Sequence, residues 1–457
     1  MDAAALDRRY VWHPFTPLDE WEAPGFRPVV VAEGRGAVLI DEAGREYLDG
    51  NSSIWTNLHG HGHPKLIGAI REQAGRLAHA SYLGLAHAPG AQLGKALCHA
   101  FGFEDGRVFY SDDGSTAIEA ALKIVFQYFQ QNGAPERTRF VSIGGGYHGD
   151  TVGAMSAGQS AGFNETFGPL LFRSEAVPSP GCYRCPFNRA KPEKGDARTY
   201  RKCRWECADA VERKLSAVGA QTAAFVAEPR VQGAAGMIMH PHGYLEKVAP
   251  LVRAAGAKLI VDEVLTGFGR TGTMSACEDE GVRPDLVALA KGLTGGLLPM
   301  GATLVREEIV AGFRGGFDRT FFHGHSYTGN PLGCAAALAN LAIFEEEGTL
   351  SRIACGGAVL EEAARAFWEL PQTGDIRREG MILAIELVRD RTTREPFRSE
   401  ERVAHRIGEI ARGKGLLTRG LNGTLFLLPP YCATREELVR MVSVLREAAQ
   451  EYFKNKG

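Results

Sequence analysis

Short apolar runs alternate along the chain with longer segments of helical period, and the apolar runs end in glycine-rich loops. FVSIGGG (140–146), TAAFVAEP (222–229), AKLIVDEV (257–264) and LVALAKG (286–292) stay apolar until their last residues. That is the pattern of strands buried on both faces. Between some of them, STAIEAALKIVFQYFQQ (115–131) and GYLEKVAPLVRAAG (243–256) repeat apolar residues at helical spacing. Such alternation predicts an α/β fold with a mostly parallel sheet, in which ligands sit beyond the carboxyl ends of the strands. After Pro331 the pattern changes. A long helix is predicted over LGCAAALANLAIFEEEG (332–348), followed by shorter strands and helices such as MILAIELV (381–388). The reading divides the chain into a large domain, 65–330, and a smaller α+β domain built from 1–64 together with 331–457. No internal repeat or low-complexity tract interrupts it.

Bulk properties narrow the picture. A chain of 457 residues is too long for one compact core. A net charge of −2 leaves no basic footprint for nucleic acid and no polybasic surface for a membrane. No apolar run approaches the roughly 18 residues of a membrane span. The start, MDAAALDRRYVWHPF, lacks a basic stretch followed by an apolar core, so no secretory signal is expected there. Nine cysteines, an odd number in a long chain, point to a reducing cytoplasm.

Four features can carry chemistry. Asp262 ends a very apolar strand, where a carboxylate needs a cation or works as a structural cap. Lys291 lies at the end of the next such strand. It is either a lysine that snorkels outward or one made nucleophilic by desolvation. The glycines after it are expected to leave room for a ligand and a moving amine. Gly114-Ser115-Thr116 opens an amphipathic helix and reads as an ordinary cap or as an anion cup. Tyr147 and His148, in GGGYHGD (144–150), place a ring where it can stack on a flat ligand or fill a loop. Together an anion cup, a buried carboxylate, a nucleophilic lysine and a ring fit pyridoxal 5′-phosphate, with Asp262 on the pyridine nitrogen and Lys291 on the aldehyde.

LIVDEVLTGFGRTG (259–272) with ALAKGLTGGLLPMGA (288–302) resembles the signature of class III (omega) aminotransferases. WHPFTP (12–17), DGNSSIWTNLHGHGHP (49–64), GGYHGDT (145–151), VQGAAGM (231–237) and FHGHSYTGNPLGCAAAL (322–338) extend the resemblance over nearly the whole chain. They narrow it to the branch that aminates 8-amino-7-oxononanoate in biotin synthesis. The resemblance implies fold type I, a pyridoxal 5′-phosphate cofactor and a homodimer with shared active sites. It implies Gly114 and Ser115 on the phosphate, Tyr147 on the ring and substrate, Asp262 on the ring nitrogen and Lys291 as the Schiff-base lysine. Glu228 and Gln232 would lie beside the ring and its 3′-hydroxyl. His325 and Ser326 would reach the phosphate from the second subunit, with Gly324 at the substrate pocket. Arg419, in LLTRGLN (416–422), would hold the keto-acid carboxylate, with Arg270 as a neighbouring candidate.

The chain departs from the adenosylmethionine-using pattern at Ile54 and Phe15, where those members carry Trp and Tyr. It also reads Gly420-Leu421-Asn422 after the carboxylate arginine, where they read Pro-x-Gly. The first two changes resemble a lysine-using branch, so the amino donor stands open between S-adenosylmethionine and lysine. Phe15, Ile54 and Trp55 are the residues expected to touch it. Cys182, Cys185, Cys203 and Cys207 are spaced for a zinc site or are reduced packing thiols. His59, His61 and His63 read as a loop near the cofactor entrance rather than a metal site.

Overall fold

A computed structural model describes residues 2–159 and 164–456. Its centre is a seven-stranded sheet: β1 (Arg107–Ser111), β2 (Arg139–Ile143), β3 (Glu175–Val177), β4 (Thr222–Ala227), β5 (Lys258–Asp262), β6 (Leu286–Leu289) and β7 (Gly301–Val305). The spatial order is β1-β7-β6-β5-β4-β2-β3. β6, β5, β4, β2 and β3 pair in parallel, and β7 runs against both of its neighbours. β4, β5 and β6 show why the apolar runs lack alternation. Phe225, Leu259 and Val261 face one helical layer, while Ala224, Val226, Ile260, Leu286 and Ala288 face the other. The predicted helices form at Gly114–Gln131 (α1) and Tyr244–Ala254, and the long one after Asn330 at Pro331–Glu346.

Two smaller four-stranded sheets flank this core. One joins Val31–Arg35, Val38–Asp41 and Glu46–Asp49 to Leu416–Leu417, with Leu48 and Leu416 in parallel register. The other is antiparallel and contains Thr373–Glu379, Ile382–Leu387, Gly420–Leu421 and Thr424–Leu427. A single apolar cluster ties Val287, Leu289 and Leu304 of the central sheet to Leu383, Leu425 and Leu445 near the C-terminus. Among the described residues no helix is long and apolar enough to cross a membrane.

Candidate active site

The carboxyl ends of β1, β2, β4, β5 and β6 surround a cavity of about 470 Å³. α1 begins there because Asp113 caps it. The Asp113 carboxylate accepts from Thr116 N at 2.9 Å, and Thr116 Oγ1 accepts from Asp113 N at 2.9 Å. Such a reciprocal cap contributes about 1 kcal/mol. It leaves Gly114 and Ser115 on the cavity at the positive end of the helix dipole. Ser115 Oγ also accepts from Asp150 N at 3.1 Å. The loop bearing Asp150 comes so close that a Cβ on Gly149 would lie 2.0 Å from Ser115 Oγ, and Gly149 has a φ of 121°. Only glycine fits that part of the cup.

Asp262 lines the same cavity and is buried. His148 Nδ1 donates to its Oδ2 at 2.7 Å, and Val264 N to its Oδ1 at 3.0 Å. Burial works to lower the basicity of His148, and the Asp262 contact raises it by more. These two donors fix the orientation of the Asp262 carboxylate, which lines the cavity. Glu228 follows β4 and accepts from Tyr147 N at 3.1 Å and Gly233 N at 2.9 Å. Burial, with Asp262 nearby, pushes its carboxyl up to about 7. The Tyr147 hydroxyl donates to Asp150 Oδ2 at 2.7 Å. Burial and that acceptor raise the phenol further from ionisation.

Lys291 projects into the same space just past the end of β6, which pairs beside β5 with Ala288 opposite Asp262. Its φ is +39°. Burial lowers its basicity, although Asp262 and Glu228 oppose the change. Its Nζ lies 5.5 Å from the centre of the Trp55 ring. Trp55 stands at the end of an unusual segment, for Ser52, Ser53, Ile54 and Trp55 all have φ between 45° and 68°. Each such residue costs on the order of 1–2 kcal/mol over right-handed backbone.

Some residues singled out from the sequence lie elsewhere. Arg270, a candidate carboxylate ligand, is fully buried. Its guanidinium donates to Pro429 O at 2.9 Å and Asn57 O at 3.0 Å and packs over Tyr431. It ties Asn57 to Pro429 and is not among the residues lining the cavity around Lys291. Gln232 is also committed to structure: it accepts from Ser179 Oγ and donates to Gly144 O at 3.0 Å, one layer behind the cavity wall. Arg419 is half-buried, with no ion pair among the described residues, and burial lowers its basicity. Phe15 and Ile54 are exposed, both at positive φ. Gly324, His325 and Ser326 lie in a loop outside the cavity of their own chain, with Gly324 and Ser326 exposed.

Sequence reasoning weighed His148 only as a neighbour of Tyr147. It did not single out Asp113, Val264 or the cavity-lining segment 297–300. The acidic residue ahead of Gly-Ser-Thr was the available signal for Asp113. Cys182, Cys185 and Cys207 are buried and Cys203 is partly so; burial raises the Cys182 thiol to about 12. Among the described residues no group of three His, Cys, Asp or Glu converges as a metal site. The three loop histidines have different partners, His59 with Asn340, His61 with Asp49 and His63 with Glu347, although the rings of His59 and His63 lie 5.7 Å apart.

An anion cup, a paired carboxylate and a desolvated lysine around one cavity fit a flat, phosphorylated aldehyde. Comparison with known proteins points the same way. The family model described as aminotransferase class-III matches residues 21–449. The chain is 47% identical over 448 residues to the adenosylmethionine-8-amino-7-oxononanoate aminotransferase of Nitratidesulfovibrio vulgaris strain Hildenborough, covering 97% of this chain and 81% of that protein. It superimposes with a TM-score of 0.90 and 37% identity on the crystal structure of the enzyme of that name from Methanocaldococcus jannaschii, over 98% of both chains. The PLP-bound amine transaminase of an uncultivated Pseudomonas species matches with a TM-score of 0.88 and 34% identity, over 98% of this chain and 99% of that one.

Proposed function

The chain belongs to the class III aminotransferases, which work with pyridoxal 5′-phosphate, and on that premise we propose that it converts 8-amino-7-oxononanoate to 7,8-diaminononanoate in biotin synthesis. The observation that carries the chemistry is the meeting of Lys291, the Asp262–His148 pair and the Gly114–Ser115 cup around one cavity. The identity of almost half over 97% of the chain supports the acceptor.

The bound cofactor supplies an aldehyde that carries the amino group and a ring that takes up the electron pair left when a C–H bond breaks. Gly114 and Ser115 hold its phosphate with the start of α1 behind them. Tyr147 covers the ring. Asp262, fixed by the His148 Nδ1–H, keeps the ring nitrogen protonated. Glu228 stands beside the ring, and Gln232 acts from behind by fixing the adjoining loop. Lys291 binds the aldehyde between turnovers. With the cofactor bound, its amine would be the base that takes the proton from the donor's amine-bearing carbon and the acid that gives it back. Burial supports this role, since desolvation lowers the amine's basicity. Arg419, a half-buried guanidinium with no ion pair, takes the acceptor carboxylate.

The partners are two small molecules and a second copy of the chain. Each site is completed by Gly324, His325 and Ser326 of the other copy. The exposure of Gly324 and Ser326, beside Phe322 and Tyr327 at 67% and 62% exposed, supports that arrangement. Residues 65–330 form the cofactor-binding unit and both termini the smaller one, in a cytoplasmic enzyme. S-adenosylmethionine is the donor named in the relatives. Lysine is the second reading, favoured by Ile54 and Phe15. The deciding assay incubates the holoenzyme with 8-amino-7-oxononanoate and either donor and measures 7,8-diaminononanoate. Product with one donor identifies it; no product with either removes the proposed acceptor.

A further inference from the structure

Backbone strain persists where the surroundings over-determine it. Around residues 52–55 the surroundings converge on a carboxylate that the catalytic reading does not use. Trp55 N and Thr56 N donate to Asn51 O and Ser52 O, four residues back, at 2.8 and 3.0 Å. The segment thus closes as one left-handed turn. It includes Ile54 at φ 68°, a conformation that is exceptional for a β-branched side chain. Asp49 is buried at the end of the strand Glu46–Asp49 and accepts four hydrogen bonds. Asn51 N and Ser53 N reach its Oδ1 at 3.2 and 3.1 Å. Ser53 Oγ and His61 Nε2 reach its Oδ2 at 3.1 and 2.9 Å.

The donors behind His61 run one way. Asn57 Oδ1 already accepts from Gly60 N at 2.8 Å, so its amide nitrogen faces His61 Nδ1 at 3.0 Å. That leaves Nδ1 bare and puts the ring hydrogen on Nε2, aimed at Asp49. What the turn delivers is Trp55. Its Nε1 donates to Asn51 Oδ1 at 2.9 Å, its ring sits edge-on to Phe426 at 6.0 Å, and its face stands 5.5 Å from Lys291 Nζ.

We propose that Asp49, braced by His61 and Asn57, is a positioning residue for Lys291. It holds residues 52–55 in the left-handed turn, and the turn holds Trp55 as the wall that orients the lysine amine and steadies its charged form. The inference rests on the aminotransferase reading, in which Lys291 moves the proton. Asp49 touches neither substrate nor cofactor. When the turn relaxes, proton transfer slows while substrate binding is largely kept.

The test compares wild-type protein with Asp49→Asn and with Asp49→Asn/Ser53→Gly. Asparagine keeps one oxygen but presents N–H to Ser53 or His61, breaking the one-way chain. Glycine at exposed position 53 adopts φ near 49° without strain, so it removes part of what Asp49 must hold. Hydrogen exchange over residues 49–57 of the cofactor-free protein is expected to speed up about tenfold in the single variant. In the holoenzyme the donor half-reaction is followed with lysine and with S-adenosylmethionine, each with hydrogen or deuterium at the amine-bearing carbon. The single variant is expected to lose kcat about tenfold with KM nearly unchanged and to show a larger deuterium effect on kcat. Ser53→Gly should restore part of kcat. Unchanged exchange overturns the inference whatever the donors do. A fall in kcat without a larger isotope effect overturns it too, for that is what fewer folded molecules give, as does no recovery with glycine. A wild-type enzyme that converts neither donor removes the substrate reading instead, and the exchange comparison still decides whether Asp49 holds the turn.

Discussion

Lys291 joins an unusual backbone to an unusual amine: its φ is +39° and burial lowers its basicity. Lys291→Ala is expected to keep the cofactor, which the cup and Asp262 still hold, yet lose at least about 10²–10⁴-fold in transamination, as cofactor absorbance and product formation would record. Glu228 gives a prediction of opposite kind. Its folded-state carboxyl, near 7, is raised above the ordinary 4.5. The folded protein therefore keeps a proton that the unfolded chain releases. Stability from this group is full below pH 4.5 and is lost as pH rises to about 7. Denaturation of cofactor-free wild type and Glu228→Gln at several pH values should show wild type losing about 3 kcal/mol against the variant across that window, then no more. Lys291, Asp262, Gly114, Ser115 and Tyr147 were legible because each puts a special side chain where an apolar run stops, and all five line the cavity. The direction of the Arg270 side chain was not legible, because sequence position does not tell which way a guanidinium turns. Two backbone carbonyls had already claimed it.

Elements were legible where burial alone decides them. β2, β4, β5 and β6 appear within a few residues of their predicted runs. The reversed direction of β7 was not legible, since period reports burial and not strand order. Nor was the left-handed turn, for Asn-Ser-Ser-Ile-Trp contains no glycine to announce it. The glycines after Lys291 also serve another end than the room expected of them. A Cβ on Gly296, at φ 90°, would lie 2.5 Å from the Thr56 carbonyl, and one on Gly295 would lie 2.8 Å from Leu66. They let the lysine loop press onto the segment that carries Trp55. Gly296→Ala should push the two apart. It is expected to lower kcat more than a neutral surface change and to cost about 1–3 kcal/mol of stability, measured by steady-state kinetics and thermal unfolding.

At the scale of the molecule, each proposed active site draws on two copies of the chain. Mixing Lys291→Ala with Ser326→Asp, each nearly inactive alone, should therefore recover part of the activity after the subunits are allowed to exchange. No recovery in a mixture shown to contain hybrid dimers would set aside the shared site. Which residues the second copy brings came from resemblance. Nothing in hydrophobic period could reveal it, because a loop that serves a neighbour looks like any exposed loop. Phe317, 81% exposed, and Phe322 are large apolar side chains left open near that loop.

The small sheet that sets Glu46–Asp49 beside Leu416–Leu417 also puts the protein's synthesis in order. Ser52 Oγ, at the start of the strained turn, bonds Leu428 O across 376 positions of sequence. A chain leaving the ribosome amino end first carries the segment of Trp55 long before its brace exists, a wait on the order of tens of seconds. The cup and the lysine are made in that interval, but the apolar cluster behind Val287 and Leu289 also waits for Leu383, Leu425 and Leu445. A nascent or C-terminally shortened chain therefore lacks both the brace on the Trp55 segment and part of the core behind Lys291.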